Sequence, residues 1–261
     1  MTFEWIDTGF FYADGGVMFG NIPKRAWQRR LPADHENRCL MVMRTGLIHT
    51  DDHRIILIDV GTGTKHLKKL SYYGFFDLID LKEALLKRNI QPADVTDIIL
   101  THLHFDHCGY ITEPDSLGKM NLSFPKARHW ISQKQWDNYH HPHPLEKDSY
   151  FENDLTLLKE EGIYTLTHDV CQLNKDLILY EMDGHTPGQL VPFIQTDEHP
   201  IIFAGDVLPL AAQLSPKWIS SYDLNPKDSY TNKLKLLTLA KRTHSKILFC
   251  HDAKQPLSDI L

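Results

Sequence analysis

The stretch ILTHLHFDHCGY, Ile99 to Tyr110, sets three histidines and an aspartate within six positions directly after an apolar run. Imidazole and carboxylate together are ligand types for zinc, manganese and iron. In an extended chain alternate side chains share a face, so His102 and His104 project together from the end of the strand that DIIL predicts. Asp106 follows at the same interval. The adjacent His107 points the same way only if the backbone turns, and Gly109 suits such a turn. Ligands leaving a strand end in two directions suggest two metal ions side by side. Any single histidine is explained by ordinary hydrogen bonding in a polar loop. Three imidazoles and a carboxylate held together would cost heavily in mutual protonation and desolvation without a cation.

Further ligands are expected where a strand end meets a small or turn residue. His185 follows LILYEMDG, Asp206 follows IIFAG, and His251 follows KILFC. Each is a weak signal alone, because strands often end in a polar residue that faces solvent; together they complete a set. Cys108 and Cys250 each adjoin a ligand, and alternation turns both away to pack behind the metal layer. The four cysteines are scattered with no C-x-x-C pair, which reads as reduced thiols. In NYHHPHP, His140, His141 and His143 share a polar loop with two prolines, so they read as an exposed connection outside the ligand set.

The elements that must position these residues can be read from periodicity. FEWIDTGFFY, RCLMVMRTGLI and RIILIDVG predict a run of strands. DLIDLKEALLKRN, with Leu78, Leu81, Leu85 and Leu86 at helical spacing, predicts a helix over 77–89 that feeds the short strand delivering the histidines. SQKQWDNYHHPHP reads as a polar stretch. FENDLTLLKEEG predicts a helix over 151–162 ended by Gly162. Strands follow at LILYEM, QLVPFIQT and PIIFAGDV, then a helix over KDSYTNKLKLLTLAKRTH and a last strand, KILFC. Strands and helices alternate in both halves, which predicts one domain over 1–261, with sheets covered by helices.

Composition agrees with a packed chain: 261 residues, 42% hydrophobic and 24% charged, are ordinary globular values. A formal charge of −6 with acids and bases mixed offers no footprint for a phosphate backbone, which argues against nucleic acid. The N-terminal MTFEWIDTGFF lacks a basic and apolar leader, and no run reaches the roughly 20 apolar residues of a membrane span. No membrane association and a cytoplasmic location are therefore expected.

The ordered set THLHFDHCG, DGHTPGQ, AGD and CHD, preceded by LIDVGTG, resembles the metallo-β-lactamase superfamily of dinuclear metallohydrolases over nearly the whole chain. The resemblance implies an α+β fold, a four-layer αββα sandwich with the metals at the edge of its two central sheets. It also implies that His102, His104 and His185 hold one divalent metal, that Asp106, His107 and His251 hold the other, and that Asp206 bridges. Asp59, ending RIILID, matches the aspartate that supports the ligands from behind; turn capping is compatible with that role. Zinc leads, with manganese and iron as alternatives.

Such a pair lowers the pKa of water from about 16 toward neutrality, so a bridging hydroxide can attack a carbonyl or phosphoryl centre without a serine or cysteine nucleophile. Hydrolysis is the expected reaction, with Asp106 passing a proton to the leaving group. Within the superfamily the chain looks most like the N-acyl homoserine lactonases and the related methyl parathion hydrolases. This predicts a lactonase or esterase acting on a small apolar-tailed substrate, with a phosphotriester or other ester hydrolase as the alternative and a non-catalytic metal-binding protein as the third reading. The resemblance also implies a homodimer. Met18, Phe19, Ile22, Trp27, Tyr72, Tyr73, Phe75 and Phe76 are candidates to wall the substrate pocket. The lactonases carry a tyrosine shortly after the bridging aspartate, whereas this chain reads GDVLPLAAQ, and Tyr222 in SSYDLNP is the candidate replacement.

Overall fold

The computed structural model describes residues 1–151 and 153–259. β1 (Thr2–Asp14) pairs antiparallel with β2 (Arg38–His49), and two short helices, α1 (Gly15–Phe19) and α2 (Lys24–Trp27), lie between them. β3 (Ile55–Ile58) pairs antiparallel with β2. After α3 (Leu81–Leu86) comes β4 (Asp97–Ile99), parallel to β3, and then the single turn α4 (Phe105–Cys108). β5 (Thr112–Pro114) and β6 (Met120–Leu122) form a separate hairpin. β7 (Arg128–Ser132), α5 (Gln133–His140), α6 (Thr156–Glu161) and β8 (Tyr164–Thr167) complete the first half. The first sheet runs β1-β2-β3-β4-β7-β8.

The second sheet is built from β9 (Val170–Asn174), β10 (Leu177–Glu181), β11 (Leu190–Ile194), β12 (Ile201–Phe203), β13 (Lys246–Leu248) and β14 (Leu257–Asp259), in the order β14-β13-β12-β11-β10-β9. The long helix α7 (Pro226–Thr243) joins β12 to the parallel β13.

Strand alternation builds the layers. Ile56 and Ile58 point into a core shared with Leu177, Leu179, Ile201 and Phe203 of the other sheet. Leu57, between them, points out to Leu81 and Leu85 of α3, Trp136 of α5 and Leu158 of α6. Ile202 likewise faces Leu236, Leu239 and Ala240 of α7. Helices, two facing sheets and a further helix make the expected αββα sandwich. No helix among the described residues is long and apolar enough to cross a membrane.

Several local expectations need correction. The helix expected over 77–89 is only Leu81–Leu86, because Asp80 caps it by accepting from the Lys82 and Glu83 amides. The helix expected over 151–162 is Thr156–Glu161, closed by left-handed Gly162; Glu152 of that stretch lies outside the described residues. The polar SQKQWDNYHHPHP contains α5, capped by the Ser132 hydroxyl on the Gln135 amide. Only one of its faces needs to be apolar, and Trp136 supplies it by stacking on Tyr164 with ring centroids 4.4 Å apart. The strand before it, RHWIS, carries no clear strand pattern because charged and polar residues interrupt its apolar ones.

Candidate metal centre

Five of the seven candidate ligands lie just past the C-terminal end of a strand: His102 and His104 after β4, His185 after β10, Asp206 after β12 and His251 after β13; Asp106 and His107 lie on α4, which follows β4. His104 is still extended, with φ −69° and ψ 151°, and serves as the entry residue of α4, which turns Asp106 and His107 back toward it. The turn is therefore helical. Gly109 is right-handed, correcting the reason for a glycine there: a Cβ would lie 2.5 Å from the Thr62 carbonyl oxygen. Asp59 ends β3 in a left-handed conformation, φ 56°, held by its amide on the Ile99 carbonyl (2.9 Å) and the Val60 amide on the His107 carbonyl (2.8 Å).

Ligand atoms of His102, His104 and His185 come within 4.8 Å of one another, and so do those of Asp106, His107 and His251. Asp206 stands between the two groups. Its Oδ2 lies 3.4 Å from His185 Nε2, while its Oδ1 lies 3.0 Å from His251 Nε2 and 3.5 Å from His107 Nε2.

The far side of each ring is held. His107 Nδ1–H donates to Asp59 Oδ2 (2.8 Å), His251 Nδ1–H to the Val42 carbonyl (2.8 Å) and His185 Nδ1–H to Asp223 Oδ1 (3.2 Å). His104 is reversed: Nε2–H donates to Glu146 Oε2 (3.2 Å), and Nδ1 faces His185 Nε2 at 3.1 Å. Asp59 is itself fixed by the Thr101 amide and hydroxyl. These outer bonds choose the tautomers and aim the remaining nitrogens inward.

The residues fit divalent cations on three observations. His102 Nε2 and His107 Nε2 are buried without a hydrogen-bond partner. Two imidazole nitrogens face each other across 3.1 Å. The donors are borderline-soft imidazole and carboxylate, which suits zinc, manganese or iron.

Electrostatics divide the cluster. Burial holds the His102 and His104 imidazoles below the usual histidine range. Burial acts the same way on His107, His185 and His251, but carboxylates outweigh it and raise all three: Asp106 and Asp59 for His107, Asp206 and Asp223 for His185, Asp206 and Asp106 for His251. Burial would raise the Asp206 carboxyl, yet His251 and His185 hold it well below the carboxylate range. A cation replaces such protons on binding.

A cavity of about 310 Å³ opens onto His104, Asp106, His185, Asp206 and His251. Met18 and Tyr222 line it, along with Phe11, Met41, Tyr72, Tyr73 and Phe105. Tyr222 stands edge-on to His185, ring centroids 5.0 Å apart, and its hydroxyl donates to Met18 Sδ at 3.5 Å. The surrounding protein, then the charges of Asp206 and Asp223, push that hydroxyl well above the usual tyrosine range, so it stays a proton donor.

Phe19 and Ile22 do not line the cavity. Phe19 is fully buried, stacked on Trp27 at 4.9 Å and edge-on to Trp218, and Ile22 packs on the same apolar cluster. Met18 and Phe19 are neighbours on α1 and belong to the same apolar cluster, but only Met18 reaches the cavity wall. Phe76 is spent on Phe10 and Tyr12, and Phe75 packs behind Phe11.

Cys250 also departs from expectation. Alternation ends with β13 at Leu248, and the Cys250 thiol donates to Asp206 Oδ1 at 3.2 Å. Cys108 packs as expected, its thiol on the Leu103 carbonyl. His140, His141 and His143 are exposed. Glu146 and Asp223 carry no sequence signal beyond the adjacency of Asp223 to Tyr222; only the fold brings them to the ligands.

Residues 45–113 match the family model described as Metallo-beta-lactamase superfamily. A curated relative, the N-acyl homoserine lactonase AttM of Azorhizobium caulinodans, is 23% identical over 168 residues, 62% of this chain; the chain spans 60% of that relative's length. Among solved structures, a probable metal-dependent hydrolase from Staphylococcus aureus superposes with a TM-score of 0.89 at 23% identity, covering 99% of this chain and 91% of that one. AidC, a dizinc quorum-quenching lactonase in complex with a product, superposes with a TM-score of 0.76 at 21% identity, covering 98% and 89%. At these identities the superpositions establish the fold.

Proposed function

We propose that this chain, which carries a metallo-β-lactamase superfamily domain, is a dinuclear metal-dependent hydrolase whose substrate is a small lactone or ester with an apolar tail. The observation that carries the reading is Asp206 between the two ligand groups, one carboxylate oxygen toward each. His102, His104 and His185 would hold one divalent ion, zinc first, and Asp106, His107 and His251 the other. Bound there, the ions supply Lewis acidity for the scissile carbonyl and acidify a water toward neutrality.

The chain's own residues do the rest. Asp59, Asp223, Glu146 and the Val42 carbonyl keep the imidazoles in one tautomer, so no reorganisation is needed at the moment of reaction. Tyr222, kept protonated and lining the cavity beside His185, would donate to the substrate's carbonyl oxygen in the role of the tyrosine absent after Asp206. Asp106 borders the cavity and would carry the proton to the leaving oxygen. Met18, Met41, Phe11 and Phe105 exclude water and receive the apolar tail. One domain over 1–261, a cytoplasmic location and a homodimer belong to the same reading.

The test is metal analysis of the purified chain combined with turnover of acyl homoserine lactones, aryl esters, phosphotriesters and a β-lactam. About two metals per chain with lactone or ester turnover is the expected result. Two metals with turnover only of phosphotriesters would keep the chemistry and change the substrate class; metal without any turnover would leave a binding protein.

A further inference from the structure

The segment 141–150 crosses the mouth of the cavity, to which Leu145, Asp148 and Ser149 contribute wall. Leu145 is 82% exposed, yet its neighbour Glu146 is 5% exposed. A carboxylate withdrawn from water inside an open segment needs a full set of donors. Glu146 has them: Oε1 accepts from Asn138 Nδ2 at 2.6 Å, and Oε2 accepts from His104 Nε2 at 3.2 Å and from the Tyr150 and Thr186 hydroxyls at 3.0 Å each. Asn138 lies on α5, Tyr150 closes the segment, and Thr186 adjoins His185. One carboxylate therefore joins the cavity rim to the candidate ligand His104 directly and, through Thr186, to the residue next to His185.

We propose that Glu146 is the positioning residue of His104 in the His102–His104–His185 site and the tether through which metal in that site orders the rim. The proposal rests on the reading of this cluster as a metal centre. An imidazole offers an inward lone pair on one nitrogen when the other carries its proton, and Glu146 accepts that proton's bond at Nε2, leaving Nδ1 for the ion. Withdrawal of electron density at Nδ1 makes Nε2–H a stronger donor, so the ion tightens the bond to Glu146. By linkage the effect is reciprocal: an ordered rim raises affinity for the ion, and the ion orders the rim.

The experiment is a chelator-competed zinc titration of the wild-type chain and Glu146→Ala, with hydrogen exchange over 141–150 measured with and without zinc. In the wild type two zincs should bind and exchange over 141–150 should slow on loading. In Glu146→Ala one of the two affinities should fall by about 10–100-fold while the other holds, and zinc should no longer slow the rim. Glu146→Gln keeps an oxygen for His104 but turns an amide N–H toward the Asn138 amide, so it should fall between. Tyr150→Phe removes only a hydroxyl and should lower the same affinity a few-fold and speed rim exchange in the loaded protein, which guards against a variant that does not fold. Equal weakening of both sites, two unchanged affinities, or a wild-type rim indifferent to zinc would overturn the proposal. A wild-type chain that binds no zinc would end the metal reading itself, whatever Glu146 does.

Discussion

Asp106 and Asp206 are both carboxylates of the candidate centre, but their surroundings differ. Both border the cavity, but Asp206 is buried among three imidazoles, whereas the Asp106 side chain is about twice as exposed, 13% against 7%, and meets His107 and His251 at 3.6 and 3.5 Å. A group that both ligates and carries a proton must sit at such a boundary. Asp106→Asn keeps an oxygen for weak ligation but cannot take up and release a proton. It should retain most of its metal while kcat falls by about 10²–10⁴-fold, measured as turnover per bound metal; full activity per metal would remove Asp106 from proton transfer.

At the scale of elements, α7 does more than cover the second sheet. Lys233 on its buried face reaches back to the Trp218 carbonyl (2.8 Å) and the Gln213 carbonyl (3.5 Å), securing the loop that ends in Tyr222 and Asp223. Burial lowers the Lys233 ammonium from 10.5 to about 8, against a smaller opposing effect of Asp223. A folded pKa below the unfolded one means that the unfolded chain binds more protons between those values. The penalty is fully present below about pH 8 and fades as pH rises toward 10.5, so stability should rise across that window, by up to about 3 kcal/mol. Urea unfolding midpoints of the wild type and Lys233→Met, followed over that range, should differ in slope, the variant lacking this rise. The same element shows where periodicity is a sufficient guide: Asn225 caps it, Pro226 opens it, and Lys241 and Arg242 occupy its last turn. Shorter helices such as α5 escape because a single buried tryptophan makes their apolar face.

For the whole molecule, the centre spans the two sheets. His102, His104, Asp106 and His107 follow β4 of the first, while His185, Asp206 and His251 follow strands of the second. Metal held by both groups would staple the layers at one edge, beyond the apolar core that joins them. Because only the folded chain assembles the ligands, metal at about 100-fold over its Kd would add roughly 2.7 kcal/mol. Chelation should therefore lower Tm by about 5–10 °C, reversed by zinc. Calorimetry with and without chelator reads this directly, and an unchanged Tm would argue against a staple.

Sequence alone determined the candidate ligands, the strand ends that carry them and a layering of sheets under helices, because strand alternation and helical periodicity act over a few residues and leave their spacing in the chain. It also indicated Met18 and Tyr222 at the cavity. It did not separate Met18 from Phe19, nor reveal Glu146 or Asp223. Those were decided by tertiary structure: which buried residue of a five-residue helix reaches the cavity, and which distant carboxylate reaches an imidazole, depend on how the sheets, the N-terminal arm and the rim pack together.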